Sequence, residues 1–418
     1  MVGVAAVVGV LVDWASPAFV NTPSKSRAAR RQDFIQAHWE NERTLGAHYV
    51  RHVPCPTDRP RFPYPHLAVP ELSEGFWDFS YIDHITSESA FMKSAEGRPV
   101  VMNFATMPEW LFKASVEVPE DANRQYLSYE QSAFDSVRSV DAVCDYFERL
   151  FRYYTQGGMT DEQGVYHAGF NYTFEWVEVL NEPNYEHGYT ANAYTALFDA
   201  IVERLRSFLP PATKYLGLAL AAPLIVADIE YFLDASHHDS VPVDGISYHF
   251  YAQPLSANAS IGCVAPDGLL DEVYWSTCAA SYAYILGGLA LQGVNVAAMS
   301  QMLGFPAYTL DGVEHLEEVL QMLIDQLFGL GDKGALKTET DASETLFAQA
   351  FAVGGDVKVL LVSFSQDAID VTLNVPAANA TLAYSDLQTG RAPYASANVD
   401  ATKFRLGPLA VAVLTLHT

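Results

Sequence analysis

The chain predicts an α/β protein, a (β/α)8 barrel short of one α/β unit and followed by a C-terminal β-sandwich. Short β-rich runs alternate with helix-period segments over residues 1–334, the domain read as the barrel. Over residues 335–418 β-type runs succeed one another with no helix between them, which is a sandwich pattern. With 418 residues, 50% of them hydrophobic, the chain has ample apolar surface for both cores.

The N-terminal stretch Met1 to Val12 is apolar with no basic residue ahead of it, so it reads as a strand rather than a signal peptide. It is also too short to span a bilayer. Strand one is either the run ending at Trp14 or the short Ala18-Phe19-Val20-Asn21. An amphipathic stretch from about Ala28 leads to the strand Ala47 to Val53. Pro99 to Phe104 is an apolar run of the buried parallel type. A helix over Asp141 to Tyr154 precedes the β-run Phe174 to Asn181. A second helix, Ala191 to Phe208, is closed by Pro210-Pro211.

Tyr215 to Ala221 (strand), Ile225 to Ala235 (helix) and Asp244 to Tyr251 (strand) continue the alternation. Trp275 to Leu291, Val294 to Ser300 and Val313 to Phe328 then read as helix, strand and helix. Leu346 to Val353, Val357 to Phe364, Ala368 to Val375, Thr381 to Tyr384 and Leu409 to Leu416 supply the sandwich. Turns such as Gly354-Gly355 and Thr389-Gly390 separate them.

With 50 acidic residues against 24 basic, the formal charge is −26. That excludes nucleic acid, whose phosphates need clustered Lys and Arg, and disfavours anionic membranes. A carbohydrate partner suits such a surface. Four cysteines, with no C-x-x-C pair, exclude a zinc ribbon or a redox motif. Cys263 and Cys278 could pair across a loop or remain buried thiols. Sequons at Asn171, Asn258 and Asn379 tilt the reading towards secretion. Gly329 to Gly334 matches G-x-G-x-x-G, but it follows a helix and precedes a strand, the reverse of a dinucleotide site. No cofactor and no metal is expected. His237-His238 reads as a solvated loop, because its spacing is wrong for zinc. The oligomeric state is not legible.

One stretch carries chemistry. In Phe174-Glu175-Trp176-Val177-Glu178-Val179-Leu180-Asn181-Glu182-Pro183-Asn184 a β-run ends in Asn-Glu-Pro, with a helix soon after. Strand C-termini form the active-site face of a barrel, so Glu182 is placed at the pocket. Pro183 stops the strand there. Glycosidic cleavage requires an acid that protonates the leaving oxygen, and a carboxyl at a strand mouth walled by aromatics meets that need. Trp110, His249 and Tyr251 follow strand ends and supply aromatic and polar groups. Glu178 lies on the same face by period-two alternation and reads as a deep structural carboxylate.

Glu175 to Asn184 resembles the acid/base motif of glycoside hydrolase family 39 in clan A. The likeness extends to Leu45 to Arg51, to Val100, Met102, Asn103 and Phe104, and to Tyr248 to Tyr251. That family joins a (β/α)8 barrel to a β-sandwich and includes β-xylosidases and α-L-iduronidases. The resemblance implies that Glu182 is the acid/base and that Asn181 holds the sugar 2-hydroxyl. By the same pattern Arg51 and Tyr251 orient the nucleophile, while Trp110 and His249 line the sugar pocket.

The pattern breaks at strand seven. A retaining glycosidase needs a second carboxylate about 5 Å from the first. The crossover that would carry it needs at least about 10–12 residues. Between Ala252 and Ile261 only Gln253 to Ser260 remain, and that tract contains no acid. Glu272, in Leu269 to Val273, is the one substitute. Its place just before Tyr274-Trp275 reads as a helix-initiating acid instead. The alternative expectation is a non-catalytic, carbohydrate-binding homologue.

Overall fold

The computed structural model describes residues 3–4, 7–12, 49–53, 70–87, 91–95, 97–104, 107–111, 139–184, 188–220, 226–239, 241–249, 272–292, 294, 296–300, 313–328, 330, 333–374 and 379–417. Two compact units divide the chain. One comprises Met1–Leu11, Pro17–Tyr49 and Ala252–Thr418, the other Val12–Ser16 and Val50–Tyr251. The N-terminal apolar run forms strands β1 (Gly3–Val4) and β2 (Val7–Val12). The amphipathic stretch from Ala28, the second candidate for strand one and the interval from 250 to 271 lie outside the described residues.

The unit of Val50–Tyr251 is built on parallel strands with helical crossovers. In chain order it holds β3 (Tyr49–His52), the hairpin β4 (Glu71–Ser73) and β5 (Phe76–Trp77), helices α1 (Ser80–Thr86) and α2 (Phe91–Ala95), and β6 (Val100–Met102). Helix α3 (Val140–Thr155) precedes a second hairpin, β7 (Gly158–Thr160) and β8 (Tyr166–Ala168). Then come β9 (Trp176–Glu178), α4 (Ala191–Arg206), β10 (Lys214–Leu220), α5 (Val226–Leu233) and β11 (Gly245–Tyr248). The sheet runs β3-β6-β9-β10-β11, every pair parallel. These five strands are part of the eight that a closed barrel needs. The two short hairpins were not anticipated, since each strand is only two or three residues long.

Local chemistry explains the helices. The Ser139 hydroxyl accepts a hydrogen bond from the Ala142 amide at 3.0 Å and caps α3. The buried face of α3 carries Tyr146, Phe147, Phe151, Tyr153 and Tyr154. Thr190 caps α4 in the same way through the Ala193 amide. Strand β9 is shorter than the β-run Phe174 to Asn181. Leu180 (φ 61°) and Glu182 (φ 42°) adopt left-handed backbone and end the ladder early.

In the other unit, helix α6 (Glu272–Leu291), strand β12 (Val296–Ser300) and helix α7 (Val313–Leu323, continued by a π turn Ile324–Phe328) follow the expected order. β12 pairs in parallel with β2. The remaining strands are β13 (Lys333–Ala335), β14 (Leu346–Val353), β15 (Asp356–Ser363), β16 (Ile369–Thr372), β17 (Asn379–Ser385), β18 (Ala395–Asp400), β19 (Lys403–Leu406) and β20 (Val411–Leu416). The main sheet runs β1-β13-β14-β15-β20-β17-β18. β1 therefore joins the C-terminal sheet, and the compact units do not follow a single cut at 334/335.

Both faces of this sheet are covered. Leu360, Val362, Val411 and Val413 pack with α6 and α7, while Val359, Leu361, Leu414 and Leu416 face the β16–β19 ribbon. The near-continuous apolar runs of β15 and β20 reflect that two-sided burial. Helix α6 comes close enough that a Cβ on Gly287 would lie 2.8 Å from the Phe347 ring. Cys278 on α6 is disulfide-bonded, its partner being outside the described residues, and Cys144 is a buried free thiol.

Candidate active site

The site is assembled at the C-terminal ends of β3, β6, β9, β10 and β11, where a parallel α/β sheet presents its polar residues. Glu178 closes β9 and is 2% exposed. Arg51 of β3 donates from Nε to its Oε2 at 2.6 Å and from Nη2 at 2.5 Å. Asn103, just past β6, donates from Nδ2 to the same oxygen at 2.5 Å and to the Leu180 carbonyl at 2.9 Å. Ser247 of β11 donates to Glu178 Oε1 at 2.5 Å. Burial alone would push this carboxyl up. Arg51, the Ser247 and Asn103 hydrogen bonds and the nearby His249 outweigh burial and hold it below the ordinary glutamate value.

Arg51 also joins this base to the next residues along the chain. Its Nη2 donates to Asn181 Oδ1 at 2.9 Å. One residue further, Glu182 is 8% exposed and shares a 2.5 Å hydrogen bond with Nδ1 of His249. The Glu182 amide donates to the Ala219 carbonyl at 3.0 Å, and the His249 amide to the Leu220 carbonyl at 2.7 Å, so β10 sets both backbones. The Glu182–His249 bond works with the proton on either partner. An ionised carboxylate accepts from Nδ1–H, and a protonated carboxyl donates to Nδ1.

The backbone here departs from regular β structure. Leu180 and Glu182 beyond β9, and Leu218 (φ 74°) and Ala219 (φ 39°) in β10, all have positive φ. The β10–β11 register shifts over the same residues, between Gly217 and Leu220. Left-handed backbone in such residues costs about 1–3 kcal/mol each and concentrates at functional sites.

The structure thus brings together Arg51, Asn181, Glu182 and His249 among the sequence-derived candidates. Arg51, assigned by resemblance to a nucleophile, directs Nε and Nη2 to Glu178 and Asn181. Trp110 lies on a single 3-10 turn (Glu109–Leu111), half-buried, and its indole Nε1 has no hydrogen-bond partner among the described residues. Tyr251 lies outside the described residues. Glu272 opens helix α6, the helix-initiating position anticipated for it.

Sequence reasoning left Asn103 and Ser247 without a role. Asn103 follows the apolar run of β6, a pattern that could have marked it, whereas Ser247 lies inside the short β11 with no such signal. The expected solvated loop holds for His237, which is exposed, but not for the side chain of His238. His238 is not solvated: its side chain is 6% exposed, Nδ1 lies 2.6 Å from Asp199 Oδ1, and Nε2 lies 2.5 Å from the Phe232 carbonyl. A buried side chain needs such partners for its polar atoms, which spacing alone does not reveal. Among the described residues no group of three or more His, Cys, Asp and Glu could hold a metal, and no helix is long and apolar enough to cross a membrane.

No protein-family model matches the chain, and no curated protein matches it. Solved structures do. A conserved exported protein from Bacteroides fragilis superimposes with a TM-score of 0.61 at 13% identity, over 98% of this chain and 97% of that one. Xylanase C of family GH30 from Talaromyces cellulolyticus gives 0.57 at 12% identity, over 99% and 97%. A GH30 endoxylanase from Clostridium papyrosolvens C71 gives 0.55 at 11% identity, over 99% and 96%. The chain shares the fold of these structures, GH30 xylanases among them. At these identities the likeness is one of fold, and family 39 is not singled out.

Proposed function

We propose that the chain is a retaining O-glycosyl hydrolase in which Glu182 protonates the glycosidic oxygen as it leaves, while a second carboxylate, supplied by none of the described residues of the site, takes the anomeric carbon. The carrying observation is the 2.5 Å contact between Glu182 and His249, set at a strand mouth above the Arg51–Glu178 pair. An acid/base must hold a proton, deliver it and recover it, and a carboxyl hydrogen-bonded to an imidazole can do so in either protonation state. Glu178, ionised and fully engaged, supports the site without reacting. Asn181, fixed through Oδ1 by Arg51, takes the sugar 2-hydroxyl in this reading. Trp110, half-buried, takes an apolar sugar face with its ring in this reading.

A neutral or uronic sugar glycoside, as for a β-xylosidase or an α-L-iduronidase, is the substrate class that the resemblance implies. No cofactor is invoked. Glu182→Gln keeps the shape and removes the transferable proton. Turnover of an aryl glycoside should fall by about 10²- to 10⁴-fold. Unchanged turnover would remove the assignment.

One observation favours a second reading, a carbohydrate-binding protein without hydrolysis. Arg51 is neutralised by Glu178, so the polar base of the pocket is satisfied without any carboxylate from a seventh strand. Calorimetry showing oligosaccharide binding, together with no release of reducing sugar by the unaltered protein, would decide for it.

A further inference from the structure

Tyr194 lies in the first turn of α4, 2% exposed, and touches neither Glu182 nor His249 in any contact described above. Its hydroxyl nevertheless joins the two irregular strand ends of the site. It donates to the Val179 carbonyl at 2.8 Å and accepts from the Leu218 amide at 2.8 Å. Val179 precedes Leu180, and Leu218 precedes Ala219. Of the four positive-φ residues of the site, Leu218 makes one of these bonds, and Leu180 and Ala219 directly follow the two bonded residues. Left-handed backbone turns its amides and carbonyls out of the β ladder, and buried groups so displaced need another partner. Tyr194 supplies one to each strand.

The ring has little freedom. It sits between Phe198 and Phe232, with centroids 6.2 Å and 5.6 Å away. Phe232 in turn packs on Gly217, where a Cβ would lie 2.1 Å from its ring. The rigid wedge ends at Leu218, and the next residue, Ala219, accepts the Glu182 amide at 3.0 Å.

We infer that Tyr194 is the positioning residue of the site, a buried hydroxyl that holds the β9 and β10 ends in the left-handed geometry aiming Glu182 at His249. This rests on the reading of Glu182 as the acid only for its kinetic consequence. The geometric consequence stands apart from catalysis.

The test is Tyr194→Phe, which keeps the ring and removes the two bonds. Phe198→Leu, which disturbs the same packing and leaves the bonds, serves as control. In crystal structures, Tyr194→Phe should lose the positive φ at Leu180 or Leu218 and move Glu182 out of hydrogen-bond reach of His249, while the control keeps the contact. On an aryl glycoside, kcat should fall roughly 10- to 100-fold with KM little changed, the signature of a misplaced catalytic group. A Tyr194→Phe structure with the Glu182–His249 contact intact would overturn the proposal. If the unaltered protein is inert, the hydrolase reading fails and the structural comparison still decides this one. If the variant does not fold, amide exchange in the unaltered protein decides. The Leu218 and Glu182 amides should share one slow class, and Leu218 exchanging as fast as Gly188 would refute the bridge.

Discussion

In the C-terminal sheet, β14 and β15 pair in register over eight consecutive residues, and β15 and β20 over six. The side chains alternate between two apolar layers, as strand geometry requires. At the ends of β9 and β10 the same backbone chemistry is used differently. The ladder stops after three residues, positive φ recurs at four non-glycine residues, and the buried side chains are Arg51, Glu178, Asn181 and Glu182. Regular pairing satisfies the backbone by itself and leaves side chains to fill space. Irregular strand ends leave backbone groups to be satisfied individually, and in return present side chains at angles that an ordered strand cannot reach. The first region is built for stability, and the second depends on a polar network to exist at all.

That contrast can be broken by substitution. Glu178→Ala strands the buried Arg51 guanidinium and should destabilise the fold by about 3–5 kcal/mol in urea unfolding at neutral pH. A loss below about 1 kcal/mol would mean that the network is ornamental. Because the folded-state pKa of Glu178 is depressed, its contribution is present above the unfolded value of 4.5 and is lost as pH falls below it. The unaltered protein should therefore weaken in acid more steeply than Glu178→Ala. Leu360→Ala, in a fully buried position of β15, should cost about 2–5 kcal/mol through its cavity and leave whatever aryl-glycoside turnover the unaltered protein shows unchanged per folded molecule. An altered kcat in that variant would show that the two regions are coupled.

A smaller effect sharpens the comparison within the site-bearing unit. Glu71 of β4 is fully buried, its Oε1 accepts from the Gly75 amide at 2.8 Å, and its Oε2 is unpartnered among the described residues. Burial, opposed by the Gly75 bond and reinforced by Glu162, raises its pKa to about 7. A carboxyl raised in the folded state binds more protons there. Its stability contribution is full below pH 4.5 and is lost as pH rises towards 7. Glu71→Gln should stabilise the fold at pH 8 by up to roughly 3 kcal/mol, seen as a higher Tm, by removing a buried charge, and should change Tm little at pH 4. An equal shift at both values would show that Glu71 does not titrate there.

Most helices and strands were legible because their cause is local. Periodicity marks α3 and α4, and Pro210-Pro211 closes the helical run that α4 occupies. Helix α6 is apolar over most of its length, which marked it as an element packed into a core. Weak elements escaped: β18 and β19 expose every other residue and carry no apolar run to mark them. In the site, Glu182 was visible from Asn-Glu-Pro ending a β-run, and Glu178 from its place deep on the same strand. Their partners were not visible as partners, because Arg51, Asn103 and Ser247 reach Glu178 from 127, 75 and 69 residues away in the chain.

By itself, then, the order of residues determined the alternation of strand and helix, the β-rich C-terminus and the carboxyl presented at a strand mouth, since each follows from periodicity, capping and turn chemistry over a few neighbouring residues. Only the tertiary structure decided which cation neutralises which carboxylate, that β1 joins the C-terminal sheet, and that a tyrosine hydroxyl ties two strained strand ends together. Those outcomes depend on which distant groups are buried side by side, and a buried charge or a displaced amide has to find whatever partner the fold brings within about 3 Å.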